Sequence, residues 1–399
     1  MIRINGYLHR KLFYDVVRRW MYNLAYPSDA ELITRLVHFN SVYVSRYLEM
    51  FSHIVLEKLN GAELKTSRAL LKADLKDVLV TSPPYLNERI EELIRSYREH
   101  PECYYRATPF SGTLFFVERA GTNWYIGSNR IKRVRRLAEK SARRITDSIF
   151  EAIKRRADAL ADDRARRLGI PRDQLVSRPE DMDQEFFKAE ARLLEDLRAQ
   201  RPIHFDEELI INDVAGLKVI AEDYDFSRVV ETIRSTDDCE IIEEEPHTGR
   251  YNAVNLIVSY APPKEEILQA PLGPKTLKTI AARGLDPDRA SREFTDFVNM
   301  GEEHVNIEVI VSNYQEMLES EIGRCMHEDR IIQQRLQQDY RGHLAKNVEY
   351  LMVYLFNFAV SARSDLGDLP IQLWDRYLPD YFDEVIRSLF DLPPLRLVD

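Results

Sequence analysis

Two acidic residues stand inside apolar stretches of the sequence, where an unpaired carboxylate is costly. Asp213 stands at the mouth of one strand-like run, shortly after Ile211, and Glu308 follows Ile307 inside a second run. A carboxylate in such a pattern loses hydration unless it is paired or binds a metal. Two of them on adjacent strands would hold Mg²⁺ through oxygen ligands, which is a chemistry of phosphate transfer. The alternative is that each acid faces solvent from a half-exposed sheet.

A basic segment from Arg130 to Arg156 could supply a second part of the same chemistry. It carries eleven lysines and arginines against three acids, in a chain whose formal net charge is −10. A local cationic excess in an acidic protein marks a place where an anion binds. The alternatives are that these residues form a solvated helix face, or that they form ion pairs with acidic helices of the same chain.

The spacing of apolar residues predicts the helices and the hairpin that would position this basic segment. Three- and four-residue spacing predicts two helices within 10–60, a long helix over Ile131–Leu168 and another over Glu185–Gln200. The stretch Thr113–Gly127 is typical of a β-hairpin that turns at Ala120-Gly121. The basic segment would therefore leave a strand and continue as a helix.

Beyond residue 202 the pattern changes to short apolar runs typical of strands. These runs lie within Glu208–Glu222, Glu240–Glu243, Ala253–Tyr260 and Val305–Val311, with helices between and after them. Such an alternation predicts an α+β fold with a mixed sheet. We expect a helical region over 1–118, an α/β core over 119–330 with a helical insertion at about 145–200, and a helical region over 331–399.

The composition excludes several classes of protein. Hydrophobic residues make up 44% and charged residues 31%, which is typical of a globular protein and excludes collagen and low-complexity filaments. The longest apolar run, near Tyr350–Val360, is too short to cross a membrane, and no secretory signal precedes residue 20. Three cysteines are too few for a disulfide framework or a zinc site. A reducing cytoplasm is the simplest compartment.

Four segments, taken in order over roughly residues 125–330, resemble the synthetase domain of RelA/SpoT-type alarmone synthetases. The first carries Arg130, Lys132, Lys140 and Arg143, and the resemblance implies that these basic side chains grip the phosphates of ATP. The second reads I-N-D-V-A-G-L-K-V around Asp213, and the resemblance implies that this carboxylate binds Mg²⁺.

The third and fourth segments add an acceptor site and complete the metal site. Tyr251 stands where the family has the tyrosine that stacks on the acceptor base, and Asn255 stands where it has a histidine. Glu308 stands where the family's glutamate completes the metal and catalytic site. The resemblance therefore implies a nucleotidyltransferase-like core with both acids, Asp213 and Glu308, as metal ligands and catalytic residues.

The reaction that the resemblance implies is a Mg²⁺-dependent transfer of pyrophosphate from ATP. The acceptor would be the 3′-hydroxyl of a guanine or adenine nucleotide, or of a tRNA end. The basic segment suits RNA, whereas the acidic remainder of the chain suits a small nucleotide. No membrane partner is expected, and self-association through the helical ends is a further expectation.

Departures from the family's pattern favour a second hypothesis of a different class. Asn252, Asn255, Ile310 and Ser312 replace an arginine, a histidine, a glutamine and an arginine of the family. These changes remove groups that would hold the acceptor and the phosphates. The alternative is a catalytically degenerate synthetase-fold protein that binds nucleotide or a partner as a sensor or regulator. A structural scaffold is the third hypothesis.

Overall fold

The computed structural model describes residues 3–203, 209–222, 225–248, 252–323, 328–329, 332–333 and 342–394. In chain order, the helices of these residues are α1 (Arg10–Met21), α2 (Asp29–Asn60), α3 (Lys72–Thr81), α4 (Glu88–Glu99), α5 (Val134–Leu168), α6 (Pro179–Arg198), α7 (Phe226–Arg234), α8 (Lys264–Gln269), α9 (Pro274–Ala282), α10 (Pro287–Asn299), α11 (Tyr314–Leu318), α12 (His343–Val360) and α13 (Pro379–Leu389). The strands are β1 (Arg3–Ile4), β2 (Lys65–Leu71), β3 (Pro109–Arg119), β4 (Thr122–Ile131), β5 (Ile210–Ile211), β6 (Ala215–Ile220), β7 (Cys239–His247), β8 (Ala253–Tyr260) and β9 (Val305–Ser312). A π-helical turn, Glu319–Gly323, continues α11.

Seven of the strands form one mixed sheet, as the α+β prediction requires. Its strand order is β2-β3-β4-β6-β9-β8-β7. Only β6 and β9 run parallel to each other, and every other neighbouring pair is antiparallel. The segments that carry Asp213 and Glu308 are therefore neighbours at the centre of the sheet.

Local sequence signals explain where the elements around the basic segment begin and end. The β3–β4 hairpin turns at Ala120 and Gly121, whose φ angles of 51° and 78° are those of a tight two-residue turn. Helix α5 begins directly after β4 and ends at Gly169, which has a φ of 68°. The predicted hairpin and the predicted long helix are confirmed.

Apolar side chains cover the two faces of the sheet differently. One face packs on a large core to which α1, α2, α5 and α12 also contribute, with Tyr47, Ile149 and Phe356 fully buried in it. A smaller cluster, which includes Leu79, Leu93 and Leu114, joins α3, α4 and α11 to one part of the opposite face. The remainder of that opposite face carries polar and charged side chains.

The sheet begins earlier in the chain than the predicted boundary at residue 119. Strand β2 falls within 1–118, where it pairs with β3, which begins at Pro109 and pairs in turn with β4. Only Ala69 is buried in β2, because this strand forms an edge of the sheet and exposes its polar residues. An edge strand without apolar alternation gives no period-2 signal, so the sequence pattern did not reveal β2.

The search for membrane-spanning segments gives a negative result. Among the helices that the structure describes, none combines the length and the apolar character that crossing a bilayer requires.

Candidate functional site

A polar surface lies on one face of the central strands, and the strand register decides which residues share it. Arg130 of β4 is opposite Gly216 of β6, and Gly216 is level with Glu308 of β9. Directly paired residues project from the same face of a sheet, so Arg130, Gly216 and Glu308 belong to one surface. Leu217 and Val309 point to the other face and are buried in the large core.

Gly216 carries no side chain at the middle of this surface, although it is itself buried. A Cβ built on Gly216 would stand 3.8 Å from Arg130 Cγ and 3.8 Å from Glu308 Oε2. A cationic and an anionic side chain thus flank one position that carries no side chain. No ion pair joins Arg130 to any acid in the described part of the chain, and the same is true of Glu308 with any base.

Asp213 lies in the irregular stretch between β5 and β6 and is held by two lysines. Lys132 Nζ donates to Asp213 Oδ2, and Lys140 Nζ lies 2.7 Å from the same oxygen. The backbone N–H of Lys132 donates to the carbonyl of Val214 at 2.7 Å, which continues the β4–β6 pairing past the end of both strands. Lys140 lies in the second turn of α5. It reaches Asp213 because the helix begins directly after β4.

The charges around Asp213 shift two pKa values. Burial opposes ionisation of Asp213, but the ammonium groups of Lys132 and Lys140 outweigh it and hold the pKa of this carboxyl well below its usual range. Burial, with a smaller contribution from the neighbouring Lys140 and Arg130, lowers the pKa of Lys132 to about 8 against the attraction of Asp213. Two lysines thus share one carboxylate, and Arg130 lies close enough to lower the pKa of Lys132, so positive charge is in excess around Asp213.

Asp213 and Glu308 meet the requirements of a magnesium site only in part. Asp213 Oδ1 is buried and accepts no hydrogen bond, so one oxygen is free for a cation. Asp213 precedes Gly216 by three residues, about 10 Å of extended chain, whereas Glu308 is level with Gly216. Within the described ranges no three His, Cys, Asp or Glu side chains gather as a metal site. Mg²⁺ is usually bound by one or two carboxylates together with phosphate oxygens, so Asp213 Oδ1 meets the requirement for one protein ligand.

The acceptor side of the predicted site is described in part. Asn255 of β8 donates from Nδ2 to Glu308 Oε1 at 3.4 Å, and its Oδ1 is buried without a partner. Asn252 Nδ2 donates to Glu316 Oε1 at 2.8 Å, so this departure from the family's arginine is turned toward α11. Tyr251, predicted to stack on a base, lies outside the described residues.

The structure brings most of the predicted residues into two adjoining groups. Lys132, Lys140 and Asp213 form the first group, and Arg130, Glu308 and Asn255 form the second. Arg130 and Lys132 are two residues apart along β4 and its extension, so both project to the same side and join the groups. Arg143 is exposed on α5, and no contact in the described residues ties it to either group.

A buried charge cluster beside this surface was not predicted from the sequence. Lys72 and Lys218 both pair with Glu321 of the π-helical turn, and the Lys218 Nζ to Glu321 Oε1 distance is 3.1 Å. Lys72 Nζ also lies 3.8 Å from Glu328 Oε1. Lys218 follows Gly216 by two residues and shares its face. The one available signal was a lysine within an apolar strand, which requires a buried partner.

Comparisons with known proteins leave the family open. No protein-family model, no curated protein and no solved structure matches this chain.

Proposed function

We propose that this protein is a Mg²⁺-dependent, pyrophosphokinase-like enzyme with a nucleotidyltransferase-like core. It would transfer the pyrophosphoryl group of ATP to the 3′-hydroxyl of a nucleotide or of a tRNA end. The observation that carries the proposal is the surplus of positive charge at Arg130, Lys132 and Lys140, which lie beside two carboxylates on one surface. Such transfers depend mainly on positioning and on charge neutralisation of phosphate.

The three cations would bind the triphosphate of ATP. Lys132 and Lys140 now share one carboxylate oxygen, so an incoming polyphosphate offers them more negative charge than Asp213 does alone. Arg130 has the planar fork that suits two phosphate oxygens at once. Asp213 and Glu308 would hold Mg²⁺, whose chemistry when bound is to neutralise phosphate charge.

The transfer itself needs an acceptor hydroxyl beside Glu308. The hydroxyl oxygen forms a bond to the β-phosphorus, the bond from that phosphorus to the α,β-bridging oxygen breaks, and AMP leaves. Glu308, directly or through water, takes the hydroxyl proton. Its carboxylate is free of any basic partner in the described chain, which suits a proton acceptor. The amide of Asn255, 3.4 Å away, would keep this carboxylate oriented.

A nucleotide-binding regulator is the second candidate, and Ile310 favours it. Ile310 is two residues from Glu308 on β9 and directly opposite Asn255, so it places an apolar side chain on the polar surface. The family resembled by the sequence has a glutamine there. Loss of that polar group is compatible with binding of ATP without transfer to an acceptor.

A labelling assay tests the enzyme against the regulator. The protein is incubated with γ-labelled ATP, Mg²⁺ and, separately, GDP, GTP, AMP, ADP and bulk tRNA, alongside Asp213→Ala. Label on one acceptor with the wild type and none with Asp213→Ala supports the enzyme. No transfer with either protein, together with a Mg²⁺-dependent rise in melting temperature on adding ATP, supports the regulator. No transfer and no thermal shift refute both.

A further inference from the structure

The segment before α1 connects the two strands that carry the candidate carboxylates. The backbone N–H of Asn5 donates to the carbonyl of Ile211 at 2.9 Å, and the N–H of Asn306 donates to the carbonyl of Asn5 at 2.9 Å. Ile211 precedes Asp213 by two residues, and Asn306 precedes Glu308 by two residues. One residue near the start of the chain thus bridges the backbones on which both acids depend.

The side chain of Asn212 makes a second connection between the same strands. Its Oδ1 accepts from Asn5 Nδ2 at 2.8 Å and from Asn306 Nδ2 at 3.0 Å. Arg10 Nη1 faces Asn5 Oδ1 at 3.4 Å, and a guanidinium can only donate. The amide of Asn5 is therefore turned so that its Nδ2 faces Asn212.

Residue 214, on the other side of Asp213, contacts the same N-terminal segment. A Cβ built on Gly6 would lie 3.0 Å from Val214 Cβ and 3.1 Å from Tyr47 Oη. Tyr47 Oη donates to the carbonyl of Gly6 at 3.0 Å, which keeps this segment against α2. Both chain neighbours of Asp213 are thereby fixed by residues 5 and 6.

We propose that Asn212 is a positioning residue that, through Asn5 and Asn306, keeps the Asp213 carboxylate against Lys132 and Lys140. Asp213 lies between β5 and β6, where the regular strand pairing is interrupted, so side-chain bonds must fix the chain there. The inference rests on the proposed function only in taking Asp213 as a metal ligand. The positioning itself is a property of the protein without ligand.

The reactivity of Lys132 toward an acylating reagent reports the position of Asp213. The full-length protein, without nucleotide or metal, is labelled with acetic anhydride at pH 7, and peptides are quantified by mass spectrometry. Labelling is normalised to Lys11, whose side chain is 86% exposed. We expect Asn212→Ala and Asn306→Ala to raise Lys132 labelling about fivefold, the change that loss of ordinary hydrogen bonds produces. Asp213→Asn is the positive reference.

Two further variants separate positioning from general loss of structure. Asn347→Ala removes another buried asparagine, which donates to the carbonyls of Gln372 and Leu373, and should leave Lys132 labelling unchanged. Asn212→Asp keeps the accepting oxygen and should label no faster than the wild type. If Asn347→Ala raised Lys132 labelling as much as Asn212→Ala does, general destabilisation would explain both results. That outcome would overturn the inference.

The remaining outcomes are also decisive. Unchanged labelling in Asn212→Ala and Asn306→Ala, while Asp213→Asn labels faster, overturns the positioning role. Unchanged labelling in Asp213→Asn overturns it as well, because the carboxylate would then not hold Lys132. A wild type that shows no Mg²⁺-dependent thermal shift with ATP refutes the proposed function, and the ligand-free labelling result stands independently of it.

Discussion

Gly216 on β6 places no side chain beside the carboxylate of its neighbour Glu308 on β9. A Cβ at Gly216 would stand 3.8 Å from Glu308 Oε2 and 3.7 Å from the Glu308 carbonyl oxygen, which is ordinary van der Waals contact. The backbone there is an extended strand, so other residues can adopt it. No backbone conformation therefore requires glycine at this position, and the distances show that a single methyl group would fit between Arg130 and Glu308.

Adding a side chain at this position with Gly216→Val should abolish the binding of ATP with Mg²⁺ and preserve the fold. Valine favours strands, so we expect the free energy of unfolding to change by no more than about 1 kcal/mol. Its two methyl groups would occupy the space beside Arg130 and Glu308. The measurement is the thermal shift caused by ATP with Mg²⁺, with Gly216→Ala as a graded control that loses less. An undiminished shift in Gly216→Val would place the ligand elsewhere.

Removing the charge of Asp213 should separate phosphate binding from magnesium binding. In Asp213→Asn the two neighbouring lysines lose their counter-charge, and stability at pH 7 should fall by about 2 kcal/mol. The same change releases Lys132 and Lys140 for anions. We therefore expect pyrophosphate without metal to stabilise this variant more than the wild type, while the Mg²⁺-dependent part of the ATP shift disappears. Asp15→Asn, which removes an acid paired with the exposed Lys11, is the control.

The stability difference between the wild type and Asp213→Asn should depend on pH, because the pKa of Asp213 is lowered. A carboxyl whose folded pKa lies below its unfolded value, near 3.9, stabilises the protein above that value. The stability difference between wild type and Asp213→Asn should thus be constant from pH 7 to about 5 and shrink below about 4. Urea denaturation at each pH measures it. A difference that grows on acidification would show that the lysines do not stabilise this carboxylate.

Lys132 should make stability rise with pH as well, but on the alkaline side. Its folded pKa is about 8, below the value of about 10.4 of an unfolded lysine. Between these values the unfolded chain retains a proton that the folded protein has released, so stability rises with pH. Relative to Lys132→Met, the wild type should gain on the order of 2 kcal/mol from pH 7.5 to 10. Guanidinium denaturation of both proteins tests this, and a flat or falling difference would contradict it.

Local patterns in the sequence were sufficient to predict much of the candidate site. Apolar alternation located the strands around Asp213 and Glu308, and their parallel pairing makes them neighbours. A turn signal at Ala120-Gly121, followed by helical periodicity, predicted that a basic helix would leave the sheet after Arg130. Each of these signals comes from residues close together in the chain, where period and turn chemistry are directly visible.

The partners of the polar residues could not be predicted, because they are distant in sequence. Asn5 and Asn212 are 207 positions apart, and the presence of an asparagine in the sequence does not indicate which other amide it will bind. The pairing of Lys218 with Glu321 spans 103 positions and depends on how α11 returns to the sheet. Lys218 lies in the family-like segment around Asp213, and nothing in that segment indicates that the structure buries it in an ion pair.

The ion pairs of Glu321 are the most deeply buried charges beside the candidate site. The side chain of Glu321 is 1% exposed, and those of Lys72 and Lys218 are each 7% exposed. Burial lowers the pKa of both lysines, and the charge of Glu321 opposes this effect. The carboxylate is thus the group that allows two ammonium ions to remain charged inside the protein.

Glu321→Gln should therefore be strongly destabilising, by about 3–5 kcal/mol at pH 7, because it leaves two buried cations without this counter-charge. The matched control is Glu118→Gln, which breaks the Lys65–Glu118 pair whose side chains are 54% and 53% exposed. That change should cost far less than Glu321→Gln, since water screens an exposed pair. Urea denaturation of the three proteins gives both values. Equal small losses of unfolding free energy in the two variants would contradict this prediction. They would mean that Lys72 and Lys218 release their protons or reach water when Glu321 is neutral. The buried carboxylate would then contribute little to stability.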